Sequence, residues 1–84
     1  MKLYLISQTE NGHYDTFDSA VVCADDEETA RNIHPRTGEP VTSEQWADLY
    51  SCWCSSPLEV AVKYLGEAAE GVEAGIVCAS FNAG

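Results

Sequence analysis

Apolar and polar residues alternate along four short segments of this chain, which is the pattern of β-strands that bury one face. The sequence Asn11-Gly12, between the first two segments, favours a hairpin and hence an antiparallel pair. The third segment alternates most cleanly, whereas the fourth is apolar on both faces and is therefore predicted to lie inside the sheet. The predicted strands run over Lys2 to Gln8, Phe17 to Cys23, Leu58 to Tyr64 and Gly75 to Phe81.

Two helices are predicted between the second and third strands. Asp25 is suited to be the N-cap of the first helix, with Glu28 three residues later closing a capping box. His34-Pro35 would end this helix, because the residue before a proline avoids the helical region. On this interpretation, much of the run of four acids that begins at Asp25 is a helix start.

The second predicted helix begins at a capping box of Thr42 and Gln45. Its apolar stripe follows at i, i+3, i+4 and i+7, and consists of Trp46, Leu49, Tyr50 and Trp53. Together with the strands, these helices predict one α+β domain over residues 1–84, in the order β-β-α-α-β-β. We expect a four-stranded antiparallel or mixed sheet with the helices packed on one face, which is as much core as 84 residues can build.

No apolar segment approaches the roughly 20 residues that a membrane helix needs, and the apolar run after Lys2 is too short for a secretory signal. We therefore expect a cytoplasmic protein that does not bind membranes. Thiols stay reduced in that compartment, and cysteine is common in protein cores. Cys23 and Cys78 lie within strand patterns and are predicted to be core residues.

Net charge sets this chain apart from an average domain. Fourteen Asp and Glu residues face four Lys and Arg residues, which leaves a formal charge of −10. At least ten carboxylates therefore have no cation to pair with and must lie at the surface, where their potential extends over roughly 8 Å at physiological salt. Such a surface disfavours direct binding to nucleic acid and favours a basic protein partner. The alternative is that the charge serves solubility alone.

Two groups of acids have no helix start to explain them. Asp15 and Asp18 alternate with aromatic residues where the second strand begins, and a glutamate recurs at every third position in the loop before the last strand. Carboxylates along a narrow face can imitate a phosphate backbone and occupy a basic groove. For any single acid, a solvated surface position remains the simpler interpretation. The predicted protein-binding residues are Tyr14, Asp15, Phe17, Asp18, Asp25, Asp26, Glu27, Glu28, Glu67, Glu70 and Glu73.

No sequence pattern for catalysis or for metal binding is complete. Cys52-Trp53-Cys54 has one residue between its cysteines, whereas zinc sites usually separate paired cysteines by about two to four. His13 lies in the predicted hairpin and His34 at a helix end, and the sequence brings neither to a thiol. Phosphate-cradling glycine patterns are absent. We expect a non-enzyme without a metal or cofactor, and a thiol- or metal-dependent enzyme is the least favoured alternative.

The segment YDTFDSAVVCADDEETARNIHP and the ending LGEAAEGVEAGIVCASFNAG resemble a family of small proteins encoded in bacteriophage and prophage genomes. The resemblance covers both ends of the chain, and the stretch from Arg36 to Ser56 corresponds to a variable middle. The family has no assigned activity, so the resemblance implies a context, the cytoplasm of a bacterial host, rather than site residues. Small acidic phage proteins include anti-CRISPR proteins and DNA mimics.

These observations favour a non-enzymatic phage protein that inhibits a nucleic-acid-binding protein, for example a CRISPR effector, through its acidic surface. A second hypothesis is a self-associating module, such as a homodimer, that uses the last strand or a surface formed by Trp46 and Trp53.

Overall fold

A four-stranded antiparallel sheet organises the computed structural model, which describes residues 1–12, 14–49 and 52–82. The predicted α+β class is confirmed, and all three strand pairings are antiparallel. The strand order, which the sequence left open, is β3-β1-β2-β4. The elements in chain order are β1 (Lys2–Ser7), β2 (Thr16–Ala24), α1 (Glu27–Asn32), α2 (Ser43–Leu49), a 3-10 turn (Pro57–Glu59), β3 (Ala61–Glu67) and β4 (Gly75–Asn82).

β1 and β2 form the predicted hairpin, but their connection is longer than a tight turn. The buried side chain of Gln8 holds it: its amide nitrogen donates to the carbonyl of Asn11 at 2.7 Å and to that of Phe17 at 3.0 Å. Its amide oxygen accepts the backbone N–H of Asn11 at 2.7 Å. One buried side chain thus pairs with three polar backbone groups in and beside the connection. The predicted hairpin residue His13 lies outside the described residues.

The first helix begins one residue later than predicted, because Asp26 and not Asp25 is its N-cap. The carboxylate of Asp26 accepts the backbone N–H of Thr29 at 2.7 Å. The helix ends at Asn32, three residues before Pro35, as the sequence predicted. Asp25 is therefore left exposed and without a capping role.

The capping box at the start of α2 is confirmed by two hydrogen bonds between Thr42 and Gln45, of 2.9 and 3.3 Å. Trp46 is buried in this helix and donates its indole N–H to the carbonyl of Cys54 at 2.8 Å. The predicted apolar stripe is longer than the observed helix, because α2 ends at Leu49 and the buried Trp53 lies beyond it. The stripe residue Tyr50 lies outside the described residues.

The hydrophobic core occupies one face of the sheet. Ile6 and Val22 are fully buried there and pack with Ile33, Trp46 and Trp53 from the segments that cover this face. The smallest extent of the Cα trace is 18 Å. Since packed layers lie about 10 Å apart, that thickness fits one sheet and one covering layer.

The other face of the sheet carries no helix in the described part of the chain. The strand register places Leu5 beside Val21 and Lys63, and Val21 beside Cys78. Leu5 and Val21 are half-buried, while Lys63 and Cys78 are exposed. This surface is termed the open face, and it also includes Ser7, Ser19, Ala61 and Ser80.

Two predictions about the last strand are wrong. β4 is an edge strand and not an interior one, because only β2 pairs with it among the described strands. Cys78 is therefore exposed rather than a core thiol, whereas Cys23 is buried as predicted. The apolar residues of β4 therefore lie at the edge of the sheet and in part on the open face.

Candidate functional site

The connection from β3 to β4 crosses one end of the sheet and brings two groups of acids together. The N–H of Ala68 donates to the carbonyl of Met1 at 3.0 Å, and the thiol of Cys23 donates to the carbonyl of Val72 at 3.9 Å. Asp25 directly follows β2 at the same end of the sheet. This region, termed the acidic end, comprises Met1 and residues 25–28 and 67–74.

All seven predicted acids at the acidic end are exposed. Asp26 caps α1, and its hydrogen bonds from Thr29 hold the pKa of that carboxyl below its ordinary value. Glu27 lies 3.6 Å from the guanidinium of Arg31, and Glu28 accepts a side-chain hydrogen bond of 3.2 Å. Within the described residues, the remaining four have no hydrogen-bonded or ion-paired side chain: Asp25, Glu67, Glu70 and Glu73.

A cavity of about 460 Å³ opens at the acidic end. Its walls include the apolar residues Met1, Ile33 and Pro40. Asp25 and Glu39, which are both exposed to solvent, also line it. The cavity thus combines apolar walls with two acids from different segments of the chain.

At the wall of this cavity, two backbone segments approach each other closely. A Cβ atom added at Gly75 would lie only 2.8 Å from the carbonyl oxygen of Gly38. Gly75 also has a φ of +118°, which residues with a side chain rarely adopt. A β-bridge between Ile33 and Pro40 holds the other segment in place. Glycine at position 75 is therefore required by contact and by conformation.

Sequence reasoning missed Glu39, because the fold rather than the spacing brings it near Asp25. Gly38 and Pro40 are usable signals in the sequence, because glycine and proline mark a loop at this position. Without the strand order, however, nothing indicated that this loop meets the start of β4.

The predicted site residues Tyr14, Asp15, Phe17 and Asp18 lie at the opposite end of β2, termed the hairpin end. Asp15 precedes the strand in a turn with φ +61°, and its N–H donates to the carbonyl of Asn82 at 2.6 Å. Asp and Asn tolerate this left-handed conformation better than most residues. The turn therefore gives Asp15 a structural role that the sequence alone did not indicate.

The other hairpin-end residues also have local roles. Asp18 is exposed at an irregularity in the pairing of β2 with β4. The ring of Phe17 packs edge-to-face on Phe81, with centroids 4.8 Å apart. Tyr14 is 73% exposed and is the one large side chain of this group available to a partner.

The structure does not bring the two acidic groups together. Asp18 and Asp25 are seven positions apart along an extended strand, a span of roughly 23 Å. That distance is almost three Debye lengths at physiological salt, taken as about 8 Å each, so their potentials act independently. At the hairpin end, moreover, Arg36 lines the same small cavity as Asp15, so a cation is also present there.

Three of the four thiols, those of Cys23, Cys52 and Cys54, are buried, as is His34, whereas Cys78 is exposed on the open face. Burial raises the pKa of the Cys54 thiol to about 11, so it is protonated at neutral pH and is a poor nucleophile. Burial likewise lowers the pKa of His34, whose ring lies against Trp46 and whose Nδ1 accepts the N–H of Arg36. Among the described residues, no three His, Cys, Asp or Glu side chains are grouped so that they could hold a metal ion.

In comparisons with protein-family models, with curated proteins and with solved structures, nothing matches this chain. The resemblance to phage-encoded proteins therefore stays a prediction. In the described part of the chain, no helix combines the length and the apolar character needed to span a membrane.

Proposed function

We propose that this protein is a non-enzymatic inhibitor that binds a basic, nucleic-acid-binding protein through its acidic end. The observation that carries the proposal is the gathering of seven exposed carboxylates, from two distant parts of the sequence, at one end of the sheet. Two of the four Lys and Arg side chains, Lys2 and Arg31, lie near these carboxylates. The other two lie elsewhere, Lys63 on the open face and Arg36 at the hairpin end. The acidic end is therefore strongly negative.

The carboxylates that lack internal partners support this proposal most directly. Asp25, Glu70 and Glu73 stabilise no helix cap or ion pair among the described residues, so a partner can engage them without breaking a contact of the fold. Exposed charges of one sign steer an oppositely charged protein and raise its association rate. The same lysines and arginines that bind DNA phosphates would pair with these carboxylates.

The spacing of the late glutamates favours a nucleic-acid-binding partner. Glu67 ends β3, and Glu70 and Glu73 follow it at every third position, so neighbouring carboxylates are attached no more than about 10 Å apart along the chain. A row of negative groups on that scale suits a groove that holds a phosphate backbone. The resemblance to small acidic phage proteins makes a host enzyme such as a CRISPR effector one example.

The test is a pull-down from nuclease-treated bacterial lysate with the protein and with a charge-reversed variant, Asp25→Lys/Glu70→Lys/Glu73→Lys. We expect one basic protein to be retained at low salt, released at high salt, and absent from the variant's eluate. Duplex DNA added as a competitor should also release it. A partner that binds both baits equally, or that DNA does not displace, would contradict the proposal.

Self-association is a second candidate, and the open face favours it. Of the described residues on that face, Lys63 alone is charged, although the chain carries fourteen acids. Leu65 and Val77, at irregularities of the two edge strands that border this face, are 46% and 49% exposed. The Trp46 and Trp53 surface suggested by the sequence is excluded from this role, since both side chains are buried.

Sedimentation velocity at two salt concentrations distinguishes the two candidates. Self-association through the open face should strengthen as salt rises, because salt screens the repulsion between two copies of charge −10. Leu65→Lys/Val77→Lys should then give monomers, while Leu58→Lys, at a side chain 86% exposed and outside the sheet, should not. A monomer at all concentrations would rule out this candidate.

A further inference from the structure

We propose that the cavity at the acidic end receives a single lysine side chain of the partner. This inference rests on the proposed function, because it specifies how the acidic end recognises a basic protein. The cavity's volume of about 460 Å³ exceeds the ~150 Å³ that five heavy atoms would fill at roughly 30 Å³ each. A lysine side chain therefore fits, with room for water around the ammonium group.

The chemistry of the walls matches that side chain at both ends. Met1, Ile33 and Pro40 offer apolar surface to a four-carbon stem, which long cationic side chains commonly bury. The carboxylates of Asp25 and Glu39 are exposed and can meet an ammonium group that stays close to solvent. No lysine or arginine side chain is among the described residues that line the cavity. The one cation that these residues supply is the α-ammonium group of Met1, which leaves the two acids in excess by one charge.

The fold leaves both acids available for this role. Asp25 lies one residue before the helix cap, and Asp26 takes the hydrogen bond that the sequence assigned to Asp25. Glu39 lies in the loop that reaches Gly75, and its side chain makes no hydrogen bond or ion pair among the described residues. Two unpaired carboxylates from different segments at one apolar cavity constitute charge complementarity to a cation.

The walls favour lysine over arginine. A guanidinium group gains from stacking on an aromatic ring, and none of the described residues that line this cavity is aromatic. An ammonium group is compact and needs no planar partner, so carboxylates from separate segments can approach it from different sides.

The first test compares two peptides of equal charge, octalysine and octaornithine, by isothermal titration calorimetry. The ornithine side chain is one methylene shorter, and burying one methylene is worth about a fourfold change in affinity. We expect octalysine to bind about three- to fourfold more tightly. Equal affinities would overturn insertion into the cavity, because charge alone does not distinguish the peptides. Octaarginine that binds more tightly than octalysine would overturn the choice of lysine.

The second test separates the cavity from the general charge of the acidic end. Asp25→Asn/Glu39→Gln removes the cavity acids, and the matched control Glu70→Gln/Glu73→Gln removes two acids that do not line the cavity. We expect the cavity pair to lose about tenfold in octalysine affinity and the control pair about twofold, as for partly desolvated and exposed ion pairs. None of the four side chains has a hydrogen bond within the described chain, so circular dichroism should show both variants folded.

The outcomes of these tests distinguish failure of the inference from failure of the proposed function. Equal losses in the two variants would overturn the lysine site but leave binding by the acidic end intact. No loss in either variant would overturn both. A large loss in the cavity pair alone, together with a preference for octalysine, would establish the site.

Discussion

The acidic end and the hairpin end carry similar residues, yet the fold uses them differently. At the hairpin end, Asp15 occupies a left-handed turn and Asp18 lies at a strand irregularity, so their positions relate to local backbone geometry. At the acidic end, Asp26 caps a helix, but Asp25 and the late glutamates have no comparable contact among the described residues. Acids with a backbone role are explained by the fold, whereas acids without one are candidates for recognition.

The two ends also differ in the space around their glycines, and this difference gives the largest expected effect. Gly75→Ala would place a Cβ 2.8 Å from the Gly38 carbonyl at a φ of +118°. We expect a loss of about 2 to 3 kcal/mol in the free energy of unfolding, from strain and the displaced segment. Urea denaturation measures it.

Gly12→Ala at the hairpin end is the matched control. A Cβ at Gly12 would meet no atom within 4 Å, and its φ lies outside the left-handed region. Its effect on stability should stay within roughly 0.5 kcal/mol, as for ordinary surface substitutions. Similar losses in both variants would show that the contact with Gly38 does not constrain the acidic end.

Between pH 7 and pH 5, the stability of the protein should change mainly because of His34, which is buried in the core, and not because of the acids at either end. Burial lowers the pKa of His34 below 6.5, so as the pH falls the unfolded chain takes up a proton before the folded protein does. The stabilisation that the neutral His34 ring contributes is therefore fully present above pH 6.5 and is lost as the pH falls toward the pKa of the folded protein. Thermal unfolding at pH 7 and pH 5 should show a lower Tm at pH 5.

The carboxyls with lowered pKa contribute in a different pH range. Hydrogen bonds lower the pKa of Glu10 at the hairpin end, chiefly from Ser55, and that of Asp26 at the acidic end, chiefly from Thr29. Their contributions are present above their ordinary pKa values of 4.5 and 3.8 and are lost only below them. His34→Asn, which can still accept the N–H of Arg36, should remove most of the change between pH 7 and pH 5. If that variant kept the full change, another group would be responsible.

Local patterns in the sequence predicted the local structure well. The capping box at Thr42, the helix stop before Pro35 and the hairpin around Asn11-Gly12 depend on residues close in the chain, and the structure confirms each of them. The strand order depends instead on which faces and edges pack together, and periodicity does not encode it. For this reason the sequence pattern wrongly predicts an interior position for β4, and it does not predict the cavity that Glu39 lines.

A substitution series at Asp15 tests whether the hairpin-end acid is there for its backbone conformation. Asp15→Ala should cost about 1 kcal/mol, because alanine tolerates a φ of +61° less well than aspartate does. Asp15→Gly removes the same charge but accepts that φ without strain, so it should stay close to the wild type. Equal stabilities of the two variants would mean that the turn does not select the residue.

The smallest effect should appear when charge is removed from each end in equal amounts. Asp15→Asn/Asp18→Asn and Glu70→Gln/Glu73→Gln each neutralise two exposed carboxylates, and asparagine keeps the left-handed turn at position 15. If binding occurs at the acidic end, the glutamate pair should weaken octalysine about twofold, as expected for exposed ion pairs. The aspartate pair, roughly 23 Å from Asp25 along the strand and beyond the screening length, should change the affinity by less than the error of calorimetry. Equal weakening by both pairs would instead mean that the basic partner responds to the net charge of the whole chain and does not bind at the acidic end in particular.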